Sequence, residues 1–291
     1  MSTMQLTGLV AAVLVAVLLL HQLTWFVWRL LVRVARSVSP HLHDWGELAR
    51  THPLRPALAA RWPRLYQAMV RRSSPHKFSG LPLTLIVVAA LYVLGLIGGL
   101  IEDLLQREGI VSFDLAINAF FGPYRVSPLV ETFLWLTALG SSPAIVAVGV
   151  VATAFLWAHR RVFFIAPLWT TFLGAQVTTW AGKVLIGRER PAFIEAVSAA
   201  LPSFPSGHAT AAMAVYGFLA YALARDVPSA RARFELAFWA AVLISMIGFS
   251  RIFLSLHYAS DVVSGLLVGG FWLLVGFAIA EIARPSQADG D

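Results

Sequence analysis

Long apolar runs restrict the fold of this chain more than any other feature. A helix needs roughly 20 apolar residues to cross about 30 Å of hydrocarbon, and the chain offers about seven such runs. They lie near Leu6–Leu31, Leu81–Ile101, Pro143–Trp157, Val162–Leu185, His208–Ala224, Phe234–Leu254 and Ala259–Ile282. The third run is short and takes length from Pro128–Gly140, which is either an interfacial helix or part of the span.

The composition agrees with a membrane protein. Hydrophobic residues make up 58% of the 291 positions, charged residues 13%, and the mean hydropathy is +0.75. Cysteine is absent, which excludes disulfides and thiolate metal sites. We therefore predict an all-α fold, a polytopic membrane helical bundle with a six-helix core and one extra N-terminal transmembrane helix.

The distribution of the basic residues predicts topology rather than nucleic-acid binding, despite a net charge of +7. Of the 22 Lys and Arg residues, the predicted outer side keeps only Arg107, Arg125, Lys183, Arg188, Arg190 and Arg251. Because short loops rich in Lys and Arg stay in the cytoplasm, we expect the N-terminus outside and the C-terminus inside.

Four segments are predicted along the chain. Residues 1–36 form a retained transmembrane anchor, since residues 1–8 lack the positive charge of a signal peptide. Residues 37–80 form a basic cytoplasmic linker, with prolines at 53, 56, 63 and 75 that break any long amphipathic helix. It is either solvated or in contact with anionic headgroups. Residues 81–284 form the membrane domain, and residues 285–291 a short tail.

Polar groups gather at the outer ends of the predicted spans. Lys183, Arg188 and Arg190 follow the fourth span and Arg251 closes the sixth, although Arg188 taken alone is expected to snorkel to the headgroups. His257 lies just before or within the start of the seventh span, four residues before Asp261. On one helix face the carboxylate would orient the imidazole as a base or nucleophile, and the alternative is an ordinary polar pair that caps a helix.

The tetrapeptide Pro-Ser-Gly-His at residues 205–208 opens the fifth span. Ser206 and Gly207 are placed near the N-cap, where free N–H groups favour an anion such as phosphate. The alternative is routine capping of a membrane helix. The nearby cations and the two histidines, His208 and His257, favour the phosphate site.

Three motifs together resemble the signatures of the type 2 phosphatidic acid phosphatase superfamily. They are K-x6-R-P at Lys183–Pro191, P-S-G-H at Pro205–His208 and S-R-x5-H-x3-D at Ser250–Asp261. Where many members have proline between the two arginines of the first motif, this chain has Glu189. The substitution spares the phosphate ligands and puts the shape of the loop in question.

The resemblance implies a role for each matched residue. His257 would be the nucleophile, Asp261 its orienting carboxylate, and His208 the acid for the leaving oxygen and then the base for water. Lys183, Arg190 and Arg251, with Ser206 and Gly207, would hold the phosphate oxygens. No cofactor and no metal are expected, because the cations take the usual role of magnesium.

The resemblance also implies a lipid phosphatase or diphosphatase that acts through a phosphohistidine. Undecaprenyl diphosphate at the outer face of a bacterial inner membrane is the leading substrate, with phosphatidylglycerophosphate, phosphatidic acid and lipid A phosphate as alternatives. The partners expected are the lipid phosphate and membrane lipids, with no nucleic acid and no prediction of oligomeric state. A lipid phosphotransferase, a vanadate-dependent peroxidase, or a lipid-phosphate transporter or binding protein remain rival interpretations.

Overall fold

Nine α-helices account for most of the described part of the chain, with further short helical pieces among residues 60–64 and 66–67. The computed structural model describes residues 3–51, 60–64, 66–67, 80–106, 109–191 and 201–284. The helices are α1 (Thr3–Thr51), α2 (Leu81–Gln106), α3 (Ile110–Phe121), α4 (Ser127–Ala138), α5 (Ser142–Ala158), α6 (Ile165–Ile186), α7 (Gly207–Ala224), α8 (Ala230–Phe253) and α9 (Ala259–Ala283). Two 3-10 turns, Gly122–Tyr124 and Val162–Phe164, connect them. The all-α prediction is confirmed.

The first compact unit, Met1–His76, contains α1. Its apolar segment Ala11–Val34 is long enough to cross a membrane. The helix continues to Thr51, past residue 36 where the anchor is predicted to end, and it stops two residues before Pro53. Much of the predicted linker and the tail at 285–291 lie outside the described residues, so these boundaries stay predictions.

The second unit, Lys77–Asp291, holds the predicted membrane domain. Five single segments in it are long and apolar enough to span: α2, Val162–Ile186, α7, α8 and α9. The helices α4 and α5 together meet the same test but bend by 45° between Ala138 and Ser142. Pro143 lies in the first turn of α5 and the Ser141 hydroxyl caps it, accepting a hydrogen bond from the Ala144 N–H at 3.4 Å. With the bent pair counted once, the domain has six segments that are long and apolar enough to span a membrane, the number predicted.

The core of this domain forms where α7 packs against α6, α8 and α9. Phe218 and Val215 of α7, Leu168 of α6 and Ile145 of α5 are almost completely buried together. A second cluster joins Phe253, Leu254 and Leu256 at the end of α8 to partly buried apolar residues of α3 and α4. Large apolar side chains on the outer faces of the spans are exposed, as a lipid solvent requires.

Four helix ends meet on one side of this domain. The C-terminal ends of α6 and α8 lie beside the N-terminal ends of α7 and α9. Helix α6 stops at Gly187, whose φ of 62° is left-handed and whose N–H donates to the Lys183 carbonyl at 3.1 Å. N-terminal helix ends carry partial positive charge, so the starts of α7 and α9 are suited to an anion.

Candidate active site

The predicted site residues come together at these four helix ends. Lys183 lies in the last turn of α6, His208 in the first turn of α7, Arg251 in the last turn of α8 and Asp261 in the first turn of α9. His208 lies within electrostatic reach of Lys183, Arg190, Arg251 and His257. The segments therefore converge on one face of the domain.

His257 lies in a tight turn between α8 and α9 rather than on a helix. Helix α8 ends at Phe253, and Ser255 adopts a left-handed φ of 54° that reverses the chain. The N–H groups of Leu256 and His257 then both donate to the Arg251 carbonyl, at 3.0 and 3.2 Å. This turn brings Arg251 and His257 to the same site, which an unbroken helix would not do.

Asp261 is held near His257 by the N-terminal cap of α9. The Tyr258 N–H donates to Asp261 Oδ2 at 3.0 Å, and the same oxygen lies 3.5 Å from Nδ1 of His257. His257 lies just before α9, the first of the two positions that the sequence left open, because α9 begins at Ala259. The buried Nδ1 atom makes no hydrogen bond of normal geometry, so the pair is held at ion-pair distance.

Arg190 stands on the other side of the imidazole. Its Nη1 lies 3.3 Å from Nε2 of His257 and donates to the Leu256 carbonyl at 2.8 Å, while Nε donates to the Leu201 carbonyl at 3.0 Å. The two carbonyls fix the guanidinium in place. The ring of His257 is thus held between a carboxylate and a cation.

The other two predicted cations are anchored by neutral oxygens. Arg251 donates from Nη1 to the Thr137 hydroxyl at 2.9 Å, whereas Lys183 donates from Nζ to the Pro202 carbonyl at 2.6 Å. Neither residue has a carboxylate among these direct partners, so much of their positive charge stays available to an anion.

The start of α7 has the cap position predicted for it, with one difference. Ser206 is the N-cap and Gly207 the first helical residue. The Ser206 N–H donates to the Asp261 carbonyl at 2.9 Å, so it is not available to a phosphate. The N–H groups of Gly207 and the next residues are available to a phosphate instead, because they have no acceptor in a preceding turn of the helix.

Burial controls the protonation of His257. The side chain is only 2% exposed, and this burial, assisted by Arg251 and Arg190 and opposed by Asp261, lowers the pKa of His257 to about 4. The imidazole is therefore neutral near pH 7, the form in which Nε2 has a free lone pair when the proton is on Nδ1. Burial likewise lowers the pKa of Arg190, which still stays positively charged.

Arg188 does not snorkel, and here the prediction is wrong. Its guanidinium donates from Nη1 to Asp261 Oδ1 at 2.7 Å and from Nη2 to Asp114 Oδ2 at 2.8 Å, with its side chain 12% exposed. Two buried carboxylates hold it more strongly than solvent would. Sequence reasoning missed Asp114, although a single carboxylate within the apolar stretch Ile110–Phe121 was a signal of a buried partner.

The loop that carries both arginines is closed by Ser203. Its N–H donates to the Arg188 carbonyl at 2.8 Å and its hydroxyl to the Glu189 carbonyl at 3.0 Å. The Glu189 side chain itself is exposed. The departure from the motif therefore leaves a loop whose backbone is tied down on both sides of Glu189.

Several buried polar atoms of the site make no hydrogen bond to the protein. Among the described residues, five buried side-chain atoms lack a hydrogen bond, and three of them are Ser206 Oγ, Arg251 Nε and His257 Nδ1. Such atoms are uncommon in folded proteins and need an explanation, which a bound anion or water would supply. Within the same residues no three His, Cys, Asp or Glu side chains form a metal-binding group, and the expectation of metal-independent chemistry stays a prediction.

Residues 164–284, which contain all the predicted site residues, match the family model described as the PAP2 superfamily. The chain contains a PAP2 superfamily domain. Helices α2–α5, and Asp114 with them, lie outside the matched range of this domain.

Named relatives of the PAP2 domain agree with the match. Phosphatidylglycerophosphatase B of Bacillus subtilis is 28% identical over 176 residues, covering 60% of this chain and 87% of the relative. Lipid A 1-phosphatase of Rhizobium etli is 29% identical over 187 residues, covering 56% of this chain and 75% of the relative.

A solved structure shows the same fold. The crystal structure of a transmembrane PAP2 type phosphatidylglycerolphosphate phosphatase from Bacillus subtilis aligns with a TM-score of 0.61 at 26% identity, over 69% of this chain and 98% of that one. Together the matches and the apolar helices make this chain an integral membrane enzyme of the PAP2 lipid phosphatase type.

Proposed function

We propose that the PAP2 domain hydrolyses the terminal phosphate of a membrane lipid through a phosphohistidine on His257. One observation carries the proposal: the imidazole of His257 lies between Asp261, 3.5 Å from Nδ1, and Arg190, 3.3 Å from Nε2. A carboxylate on one side orients the ring, and a cation on the other side marks where a phosphoryl group binds.

In the first step Nε2 of His257 attacks phosphorus and the bond from phosphorus to the lipid oxygen breaks. His208 donates its proton to that oxygen, and Asp261 stabilises the positive charge that develops on the His257 ring. Lys183, Arg190 and Arg251 neutralise the nonbridging oxygens, together with N–H groups at the start of α7 and the Ser206 hydroxyl.

In the second step water attacks the phosphorus of the phosphohistidine. His208, now neutral, takes a proton from the water as the N–P bond breaks, and free phosphate leaves. The imidazole of His257 returns to its neutral form, so no other reactant is consumed.

The proposed substrate is undecaprenyl diphosphate, cleaved to the monophosphate at the outer face of a bacterial inner membrane. The site lies at the helix ends, where the phosphate of a lipid reaches it while the hydrocarbon tail remains among the spans. The relatives' names support two other lipids for the same chemistry, phosphatidylglycerophosphate and lipid A 1-phosphate.

The test measures phosphate release by the purified protein in detergent from undecaprenyl diphosphate, phosphatidylglycerophosphate, phosphatidic acid and lipid A 1-phosphate. We expect His257→Ala to lower turnover at least about a thousand-fold, because the nucleophile is lost. His159→Ala, an exposed histidine at the end of α5, is the matched control and is expected to keep full activity.

Three results would contradict the proposal. Normal turnover by His257→Ala would remove this residue as nucleophile. A phosphorylated lipid acceptor in place of free phosphate would make the protein a phosphotransferase. Bound or transported lipid without phosphate release from any of the four would indicate a binding or transport protein.

A further inference from the structure

A second buried carboxylate lies behind the site and has no part in the proposed reaction. Asp114 of α3 is 1% exposed, whereas its neighbours Phe113 and Leu115 are 60% and 53% exposed. Its Oδ1 accepts the Ser260 N–H at 3.0 Å, and its Oδ2 accepts a short hydrogen bond from the Ser260 hydroxyl. A buried charge in an otherwise apolar helix is costly unless a partner compensates it.

The partner is Arg188, which connects Asp114 to the carboxylate that orients His257. Separate nitrogens of its guanidinium bind Asp114 and Asp261, at 2.8 and 2.7 Å. Its Cζ also lies 4.1 Å from the centre of the Tyr258 ring. Burial lowers the pKa of Arg188, but the two carboxylates outweigh burial and raise it above the ordinary value.

This arrangement divides the two oxygens of Asp261 between two functions. Oδ1 is bound by Arg188, and Oδ2 accepts the Tyr258 N–H and lies 3.5 Å from the His257 ring. With Oδ1 held by a rigid guanidinium fork, the carboxylate plane has little freedom to rotate away from His257.

The charges of Asp114, Arg188 and Asp261 explain why Arg188 has two aspartate partners. Asp114 and Asp261 carry two negative charges against the single positive charge of Arg188, so one negative charge remains beside His257. When the ring gains positive charge on phosphorylation, the four groups together become neutral. Without Asp114, the positive charge of Arg188 would be balanced by Asp261 alone. The negative charge of Asp261 would then no longer stabilise the positive charge on the His257 ring.

We propose that Asp114 and Arg188 are positioning residues, which orient Asp261 and leave it the uncompensated negative charge that the His257 ring needs as it is phosphorylated. The inference rests on the proposed phosphohistidine mechanism. It adds α3, which lies outside the matched PAP2 range, to the elements that determine the rate.

The test compares Asp114→Asn, Arg188→Gln and the double variant that carries both changes. We expect each single change to lower kcat by at least about ten-fold, because each changes the net charge of the group formed by Asp114, Arg188 and Asp261. KM, the inhibition constant of inorganic phosphate and the melting temperature of Asp114→Asn should stay near wild type. The double variant removes one charge of each sign, so we expect it to recover part of the kcat lost in Arg188→Gln, because the charge balance returns while the guanidinium contact to Asp261 stays absent.

Controls separate this inference from the mechanism it rests on. The partly exposed pair Arg231–Glu235, 2.6 Å apart at the other end of α8, supplies matched Arg231→Gln and Glu235→Gln changes that should leave kcat unaltered. Wild-type protein and His257→Ala are assayed beside them. If His257→Ala is fully active, the proposed function fails, whatever the other variants show.

With His257→Ala inactive, two outcomes overturn the inference alone. One is unchanged kcat in Asp114→Asn. The other is a double variant whose loss equals the product of the single losses, because charge balance then has no role. Should a single variant fail to fold, a folded and active double variant supports the inference, and a double variant that also fails to fold overturns it.

Discussion

His257 differs from an ordinary helix-cap histidine in having a charged group near each ring nitrogen. Asp261 lies near Nδ1 of the ring and Arg190 near Nε2. His208 lies near the same arginine and near the other cations of the site. Capping alone would require only one polar neighbour. A site that only binds an anion would not need the second histidine, His208, as an acid. The effect of replacing His208 on turnover therefore distinguishes catalysis from simple anion binding.

His208→Ala is expected to reduce kcat by about a hundred-fold or more on phosphatidic acid, a phosphate monoester, because its alkoxide leaves poorly without a proton. An aryl phosphate with a nitro-substituted phenol as leaving group needs no such proton, so its loss should be smaller. Steady-state rates on the two substrates provide the measurement. Equal losses on both would argue against His208 as the general acid.

At the scale of the elements, the site depends on how closely α7 and α9 approach. A Cβ atom placed on Gly265 of α9 would lie 2.5 Å from the Ser206 carbonyl oxygen and 3.1 Å from the Thr210 hydroxyl. Backbone at the start of α7 cannot move aside without moving His208. The absence of a side chain at this position therefore sets the distance between two of the three motifs.

Gly265→Ala is expected to destabilise the protein by about 1–3 kcal/mol and to lower activity, since α7 must shift away from α9. Gly270→Ala is the matched control on the same helix, because a Cβ atom there meets only the end of Met213 at 3.6 Å. Thermal unfolding in detergent and phosphate release measure both effects. Equal stability of the two variants would show that α7 and α9 have room to adjust.

At the scale of the whole domain, six spans carry the polar residues to one side. Alternate helices run in opposite directions, so the C-terminal ends of α6 and α8 and the N-terminal ends of α7 and α9 share a layer. The opposite ends carry other ion pairs, such as Arg161 with Asp226 and Arg225 with Glu281. The charge distribution predicts that the catalytic layer faces outward.

The absence of cysteine makes this orientation testable with single cysteines. Tyr124 is exposed beside Arg125, whose Nε donates to the Phe253 carbonyl at the catalytic end of α8. Ala230 is exposed at the other end of the same helix, about 36 Å away at 1.5 Å per residue. A maleimide that cannot cross membranes should label Tyr124→Cys in intact cells, and Ala230→Cys only after permeabilisation. The reverse pattern would place the catalytic layer in the cytoplasm.

Local patterns allowed much of the site to be predicted, but they failed for Arg188. The three motifs lie at helix ends because Gly187, Ser206 and Tyr258 supply end and cap positions that neighbouring residues determine. Arg188 and Asp114, in contrast, are separated by 74 positions in the chain. Taken one at a time, each was compatible with an ordinary boundary residue, since no local pattern states which distant charge will be its partner.

The sequence by itself determined the apolar spans and the order of the polar groups along them, whereas α3 lies outside every predicted run. These depend on the length of apolar runs and on local turn chemistry, which act over a few residues. Only the tertiary structure decided that His257 lies outside α9, that the Ser206 N–H is bound by Asp261, and that Asp114 pairs with Arg188. The physical reason is that a buried charge selects its partner by distance in space, and helix packing sets that distance.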